Sequence, residues 1–427
     1  MRKIVFPVLL IIYAVTLTAG CNKMEREDDT GDYDPKICPF CCKELSSEEE
    51  CLEHRLSCDP YLQDESGPFM IPISFESDEE VDAAHWMSRL PGDTRLVNLT
   101  IPGLHDAATY SYTAKMTPTY IKDQNIDYHD AWNKGARAFD LRLGYDDRNL
   151  LKKRSFEDRC MFFHGDNFFG IMFGLCMMQN FRTDITKHFP TPEQLKGETM
   201  ILITKNEFHP ASVSRSKLNT FEYFMRLMIE RYGKDVFIEY SPELTLKQCE
   251  GRIIIFTREK TYTEDYSRIG GVPSVPVSYI SSFPDDGGTT IEVYRNGQCL
   301  HNYSAYVQDH YNVGKSGTGN DKYTIFRDAL NHRKAKAPDA IFFNGMNAVQ
   351  DKPSWDICEF MNDKIGSDLA KAKWESQYEQ GMGVVLTDFY GVDNYKHGFL
   401  WTTRNFKGNN LAVQLVSHNF KRLRRLK

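Results

Sequence analysis

The stretch IPGLHDAATYSY, residues 101–112, sets His105 beside Asp106 just after a short apolar run and a Pro-Gly break. Alone, the pair reads equally well as a polar turn closing a strand. Other apolar runs end in the same way: in Asp140 and Arg142, in His164, in Lys205, in Arg258, in Asp309 and Tyr311, and in Asp388. Two histidines with ordinary pKa values near ~6.5 can serve as base and acid at neutral pH, one taking a proton from a hydroxyl while the other gives one to a leaving oxygen. An arginine between them can hold a phosphate oxygen through two N–H donors and stabilise charge as it develops. A carboxylate beside each ring fixes its tautomer and favours its protonated form. This set is equipped to cleave a phosphodiester without a metal.

Groups so far apart in sequence need a scaffold that brings strand ends together. The runs RLVNLTI, ARAFDLRL, CMFFHG, MILITKN, RIIIFTR, SAYVQDHY, AIFFNG and MGVVLTDF are mostly continuous in apolar character, which predicts strands buried on both faces of a largely parallel sheet. Between them SKLNTFEYFMRLMIERYG predicts a helix over 216–233, and SWDICEFMNDKIGSDLAKAKWESQYEQG a long one over 354–381, stopped by Gly381. Repeated strand-then-helix units over this length give an α/β fold, an irregular TIM-type (β/α) barrel, in which such polar ends converge on one face.

At 427 residues, 41% hydrophobic and 13% aromatic, the chain can build a sizeable core, and a net charge of −7 gives no reason to expect nucleic acid as a partner. The terminal KRLRRLK reads as a solvated basic face or tail. The N-terminus has Arg2 and Lys3, an apolar run over residues 4–15 and then small residues, the layout of a signal peptide over 1–20. LTAGC resembles the bacterial lipobox, which makes Cys21 the lipidated first residue of an exported, membrane-anchored lipoprotein; a plain signal peptide would give a secreted protein instead. Residues 21–36 are an acidic linker too polar for a core. Over 37–60, Cys38, Cys41, His54 and Cys58 follow C-x2-C-x12-H-x3-C, close to the spacing of a small finger with one structural zinc. Disulfides among the same cysteines, with Cys42 and Cys51, are the competing staple in an exported protein. Either way a module this short depends on its staple, and it is a candidate surface for a protein partner.

IPGLHDA resembles the signature usually written IPGTHDS in the X domain of phosphatidylinositol-specific phospholipase C. GARAFDLRL, FFHG, MILITKNE, RIIIFTR, YVQDHY and VVLTDF follow in that family's order, so the resemblance covers most of residues 85–425. It implies a catalytic barrel acting on an inositol phospholipid or a glycosylated anchor at a membrane surface. His105 would be the base toward the inositol 2-hydroxyl, oriented by Asp388, and His164 the acid toward the diacylglycerol oxygen, assisted by Asp106. Arg142 would bind the phosphate, with Lys205, Arg258, Asp309 and Tyr311 lining the inositol pocket. Arg142 stands where the animal-type enzymes carry an acidic calcium ligand, so the resemblance is to the bacterial, metal-independent branch, with no cofactor for catalysis.

Leu104 and Ala107 depart from the usual Thr and Ser, a change expected to alter packing or headgroup fit, and FFNGMN departs from the usual run on the far side of the pocket. DNFFGIMFGLCMM, residues 166–178, fits either an apolar rim that enters a lipid surface or a helix packed on the barrel. Two other readings stay open. One is a non-catalytic surface binding protein on the same barrel, with the Cys/His module as its working part. The other is a metal-dependent glycerophosphodiesterase, which would want an acidic pair at the place of Arg142.

Overall fold

The computed structural model describes residues 67–111, 122–145, 155–164, 177–208, 214–260, 275–314, 317–348, 355–371, 376–397 and 402–426, with Ser46. The chain divides into residues 1–66 and 67–427. The signal peptide, Cys21, the acidic linker and Cys38, Cys41, His54 and Cys58 lie outside the described residues, as do residues 166–176 of the apolar stretch. Among the described residues no helix is long and apolar enough to cross a membrane.

Residues 67–427 form a closed barrel. Its strands in chain order begin with β1 (Thr100–Leu104) and β2 (Ala138–Tyr145); two strands outside the ring follow, β3 (Cys160–Phe163) and β4 (Met177–Asn180). The ring continues with β5 (Thr199–Phe208), β6 (Arg252–Thr257), β7 (Val277–Ile280), β8 (Gly287–Arg295), β9 (Gln298–Gln308), β10 (Ile341–Gly345) and β11 (Gly383–Thr387). The ring order is β1-β11-β10-β9-β8-β7-β6-β5-β2, closed by pairing of β2 with β1. All neighbours in the ring run parallel except β8, which is antiparallel to β7 and to β9. The expected irregular α/β barrel is therefore present, with nine strands in its ring and one of them reversed.

Each ring strand has one face inside the barrel and one under the helices, so both faces are apolar. Ile101, Ala138, Ile203, Phe256, Val307, Phe343 and Leu386 share one buried cluster, while the alternate residues Phe139, Leu141, Leu202, Ile255, Tyr306 and Val385 belong to another. The Phe256 and Phe343 rings meet at 5.1 Å although β6 and β10 are not neighbours, which places the first cluster inside the barrel. The side-chain period of two then dictates what stands above that layer. Two residues beyond Ala138 is Asp140, followed by Arg142; beyond Ile203 comes Lys205; beyond Phe256, Arg258; beyond Val307, Asp309; beyond Leu386, Asp388.

Several elements differ from the sequence expectations. RLVNLTI is not a strand from its start, because Leu96–Asn98 forms a 3-10 turn and β1 begins at Thr100. CMFFHG gives β3, but it pairs antiparallel with the upper end of β2 and stands outside the ring. β7 and β8 come from residues with no continuous apolar run; over Gly287–Val293 of β8 every second residue is the more buried one, as expected of an antiparallel strand with one covered face. Its hairpin partner β9 follows through Asn296 and Gly297, both in the left-handed region, the pair favoured in a two-residue turn. The helix expected over 354–381 is shorter, Trp355–Ala370, with a separate 3-10 turn at Ser376–Tyr378. The helix expected over 216–233 is present as Ser214–Tyr232.

KRLRRLK is no loose tail. It closes a helix, Gly408–Arg425, in which Lys421 and Arg422 are buried, and Arg422 donates to the Asn98 carbonyl. This helix clamps the start of β1. Asn419 accepts from the Thr100 N–H and donates to its carbonyl, both at 2.8 Å. His418 Nε2 lies 2.6 Å from the Tyr378 carbonyl, so Nε2 carries the proton and Nδ1 accepts from the Thr100 hydroxyl at 2.7 Å. A second anchor is buried where Arg137 enters β2. Its guanidinium pairs with Glu198 at 2.7 Å and donates to four backbone carbonyls, so neither charge is stranded.

Burial, opposed only by the Tyr378 carbonyl, drives the pKa of His418 down to about 3, against 6.5 for a free ring. The unfolded chain therefore binds a proton there that the folded chain refuses. The stability associated with the neutral ring is complete above about pH 6.5 and is lost as the pH falls toward 3, by up to ~1.4 kcal/mol per pH unit. Urea unfolding of wild type and His418→Gln over that window is expected to show a shallower pH slope in the variant.

Candidate active site

The inward register brings one group of side chains together at the carboxyl ends of the ring strands. β1 ends in His105 and Asp106, and β11, its neighbour, in Asp388. The His105 N–H donates to the Thr387 carbonyl, tying the two ends together. Asp106 and Phe389, each just past a strand end, have φ of 40° and 49°, a left-handed conformation that is uncommon for residues other than glycine. Gln124, from the segment preceding the helix Tyr128–Asn133, holds this pair of turns. Its amide donates to the His105 and Thr387 carbonyls at 2.9 and 2.7 Å and accepts from the Tyr390 N–H at 3.2 Å.

Asp106 is the centre of the cluster and only 3% exposed. Its Oδ2 lies 3.3 Å from Nε2 of His105 and 3.0 Å from Nε2 of His164. Its Oδ1 lies 2.7 Å from Nε of Arg142 without an aligned hydrogen bond, because the Arg142 Nε and Nη2 N–H groups are directed at Asp140 and Nη1 at Glu207. The contact is thus one of charge. His105 has its Nδ1 2.9 Å from Asp388 Oδ1, so Nδ1 donates there and Nε2 faces the cluster, with the Asn347 amide 3.3 Å away. His164 comes from the end of β3, the strand outside the ring, which runs back toward the mouth antiparallel to β2. The expectation that each of these groups would sit at the carboxyl end of a barrel strand is therefore corrected for His164.

Burial works against a proton on His105, yet the Asp106 and Asp388 charges outweigh it and hold the pKa up at about 10. His164 behaves likewise, with Asp106 and Asp123 overcoming burial to hold it at about 9. Burial would raise Asp106, but Arg142 and the two imidazoles keep it well below the usual carboxylate range. Without substrate, then, the cluster is a carboxylate between two imidazolium rings and a guanidinium.

On the pocket side, Lys205 pairs with Glu207 at 2.8 Å, and Arg142 approaches the same carboxylate at 3.4 Å. Arg258 lies 3.5 Å from Asp309 and stacks over the Phe283 ring at 3.9 Å. Tyr311 follows at the rim, 53% exposed. All nine residues expected for the barrel site are therefore near the ends of its strands, Tyr311 on its surface. Leu104 and Ala107 are fully buried in the layer between ring and helices, so their departure from the usual Thr and Ser is a matter of packing.

Sequence reasoning missed Asp123, Gln124, Glu207 and Asn347. Glu207 had a signal, since it stands two residues past Lys205 in the same register; Asn347 stands two past Gly345 in the same way. Asp123 and Gln124 sit on a connecting segment with no periodicity to point to them. Three donor sets here could gather a cation: His105, Asp106 and Asp140; His105, Asp123 and Asp388; and Asp106, Asp123 and His164. The Arg142 guanidinium already supplies fixed positive charge against Asp106 and Asp140.

No family model matches the chain. It is similar to 1-phosphatidylinositol phosphodiesterase of Staphylococcus aureus (strain Newman), 24% identical over 178 residues that make up 41% of this chain and 50% of that protein. The enzyme of the same name from Listeria monocytogenes is 26% identical over 189 residues, 42% of this chain and 50% of that one. The chain thus spans about half the length of the curated relatives it matches. Among solved structures, a single-site variant of phosphatidylinositol-specific phospholipase C from S. aureus superposes with a TM-score of 0.53 at 18% identity, covering 78% of this chain and 96% of that one. A double variant of the same enzyme gives 0.54 at 17%, covering 78% and 96%. The relatives and structural neighbours are bacterial phosphatidylinositol-specific phospholipases C, and the likeness establishes the barrel fold.

The electrostatics can be tested without substrate. In Asp388→Asn the ring of His105 loses a charged partner at hydrogen-bond distance, and its pKa is expected to fall by about one to three units, as read from the NMR titration of its ring carbon.

Proposed function

We propose that the chain cleaves phosphatidylinositol, or a related inositol phospholipid or glycosylated anchor, by intramolecular attack within the substrate. One observation carries this reading: a single buried carboxylate oxygen of Asp106 within 3.3 Å of the Nε2 atoms of two histidines, with the Arg142 guanidinium 2.7 Å from the other oxygen. The similarity to bacterial enzymes acting on phosphatidylinositol supports the choice of substrate.

In this reading His105, oriented through Nδ1 by Asp388, takes the proton of the inositol 2-hydroxyl on Nε2. The freed oxygen attacks phosphorus, the bond from phosphorus to the glycerol oxygen breaks, and His164 gives its proton to that oxygen. The products are diacylglycerol and a cyclic inositol phosphate; water then opens the cyclic ester with the two histidines in exchanged roles. Arg142 carries the charge gathering on the phosphate oxygens, which removes the need for a catalytic metal. Lys205, Arg258 and Asp309 hydrogen-bond inositol hydroxyls, and Tyr311 stacks on the ring. Because substrate-free His105 holds its proton at neutral pH, the active form requires that proton to leave.

The N-terminal residues extend the proposal. Export and lipidation at Cys21 would tether the chain to an envelope membrane, the acidic linker would give the barrel reach, and the apolar stretch 166–178 would meet the lipid surface. The Cys/His module, stapled by zinc or by disulfides, would offer a surface to a protein partner.

With phosphatidylinositol vesicles in excess chelator, wild type is expected to release diacylglycerol, and His105→Ala and His164→Ala to lose about a hundred- to ten-thousand-fold in rate. The wild-type kcat/KM should rise from about pH 6 to about pH 8 as neutral His105 becomes more abundant; a strict calcium requirement would sink the proposal. Fatty-acid labelling is expected to depend on Cys21, and bound zinc with free thiols would distinguish the finger from a metal-free, thiol-free module.

A further inference from the structure

Asp123 lies at the heart of the site, although nothing in the scheme above uses it. It is 5% exposed, its Oδ2 is 3.5 Å from Nε2 of His164, and that oxygen accepts no hydrogen bond. The segment cannot swing aside easily. The Asp123 N–H donates to the Thr109 hydroxyl at 3.1 Å, its carbonyl accepts from the Phe389 N–H at 2.6 Å, and the Gln124 N–H also donates to Thr109. A buried carboxyl oxygen without a donor is costly unless neighbouring charge or a proton offsets it.

The groups facing it come from every element around it. The end of β1 contributes His105 and Asp106, with Arg142 and Asp140 of β2 behind them; the end of β3 contributes His164, and the end of β11 Asp388. The helix Trp355–Ala370 contributes the Cys358 thiol. Lys122, next in sequence, donates instead to the Tyr110 carbonyl. Around the mouth, the carboxyls of Asp106, Asp123, Asp140, Glu207, Asp309 and Asp388 outnumber the permanent cations of Arg142, Lys205 and Arg258 by three. Protons on both imidazoles balance two of these charges. Lys322, buried within electrostatic reach of Asp309 and Asp388, offsets part of the third, while the Asp123 Oδ2 accepts no hydrogen bond.

We propose that Asp123 is a positioning residue that, together with Asp106, keeps the proton on His164 and so maintains the leaving-group acid in its charged form. The role rests on the reading of His164 as that acid. Burial, reinforced by Asp388, holds the pKa of Asp123 up at about 8, below that of His164 at about 9. When ionised, the Asp123 carboxyl sets a negative charge 3.5 Å from His164 Nε2 and so favours the proton on that ring. The effect is to extend the acid's range toward alkaline pH.

The test is an NMR titration of the His164 ring carbon in wild type, Asp123→Asn and Asp123→Glu, each checked for folding by thermal melting, alongside the pH profile of kcat/KM on phosphatidylinositol vesicles. Asparagine is expected to lower the alkaline midpoint of His164 by about one unit and, since His105 must still lose a proton held up at about 10, to end the rise of kcat/KM about one unit earlier on a plateau about tenfold lower. Glutamate should restore both. An unchanged His164 midpoint in folded Asp123→Asn overturns the inference, whatever the activity; wild type without activity on phosphatidylinositol overturns the functional reading instead. Should Asp123→Asn fail to fold, the wild-type titration decides: a second inflection of the His164 signal at the ionisation of Asp123 supports the coupling, and a single-step curve overturns it.

Discussion

Everything at the mouth of this barrel depends on the buried carboxylate of Asp106. It is shared between His105 and His164, and Arg142 holds it ionised. In water such attractions would be weak, but above a buried apolar interior each is worth more, and an isolated charge there would be correspondingly expensive. The carboxylate is tolerated because three cationic groups face it, and the imidazoles keep their protons because it is there. None of the four groups can be understood singly. Removing Arg142 would leave Asp106 in an excess of carboxylates, and removing Asp106 would leave two imidazoliums and a guanidinium facing one another.

The constraint that assembles the cluster is geometric. A strand in a closed barrel alternates between the interior and the helix layer, so one set of alternate positions must be small or apolar until it reaches the mouth. Ala138, Ile203, Phe256, Val307 and Leu386 fill the interior, and the residues two further on emerge above it with their charges. The lower end is held rigidly for the same purpose. Thr100 is gripped by His418 and Asn419, and the Arg137–Glu198 pair fixes the entry to β2, so β1 and β2 present His105, Asp140 and Arg142 in a fixed relation.

Much of this was legible in the sequence. Continuous apolar runs ending in polar residues gave most of the ring strands and nearly all the barrel site, because burial on two faces leaves a strong signal and the mouth interrupts it abruptly. What escaped lies where that signal is weak. β8 has one covered face over part of its length and so alternates; the Asn296-Gly297 turn was its better marker. His164 was found from its motif, while its presentation by a strand outside the ring depends on pairing that a single strand does not encode. Asp123 and Gln124 act from a connecting segment, where function follows from where the backbone is tied and leaves no periodic trace. The basic terminus misled for another reason: Lys421 and Arg422 are buried, with the Arg422 guanidinium turned in to the Asn98 carbonyl and the Lys421 ammonium over the Phe75 ring, which composition alone cannot distinguish from a solvated face.

Internal attack by a substrate hydroxyl on phosphorus is what most clearly separates this account from a binding role or from metal-assisted hydrolysis on the same type of barrel. Phosphorus NMR during turnover of phosphatidylinositol by the full chain tests it directly. The account predicts that the signal of a five-membered cyclic phosphate appears first and is only later replaced by that of the acyclic monoester. Direct appearance of the monoester, with no cyclic species at any time, would contradict it.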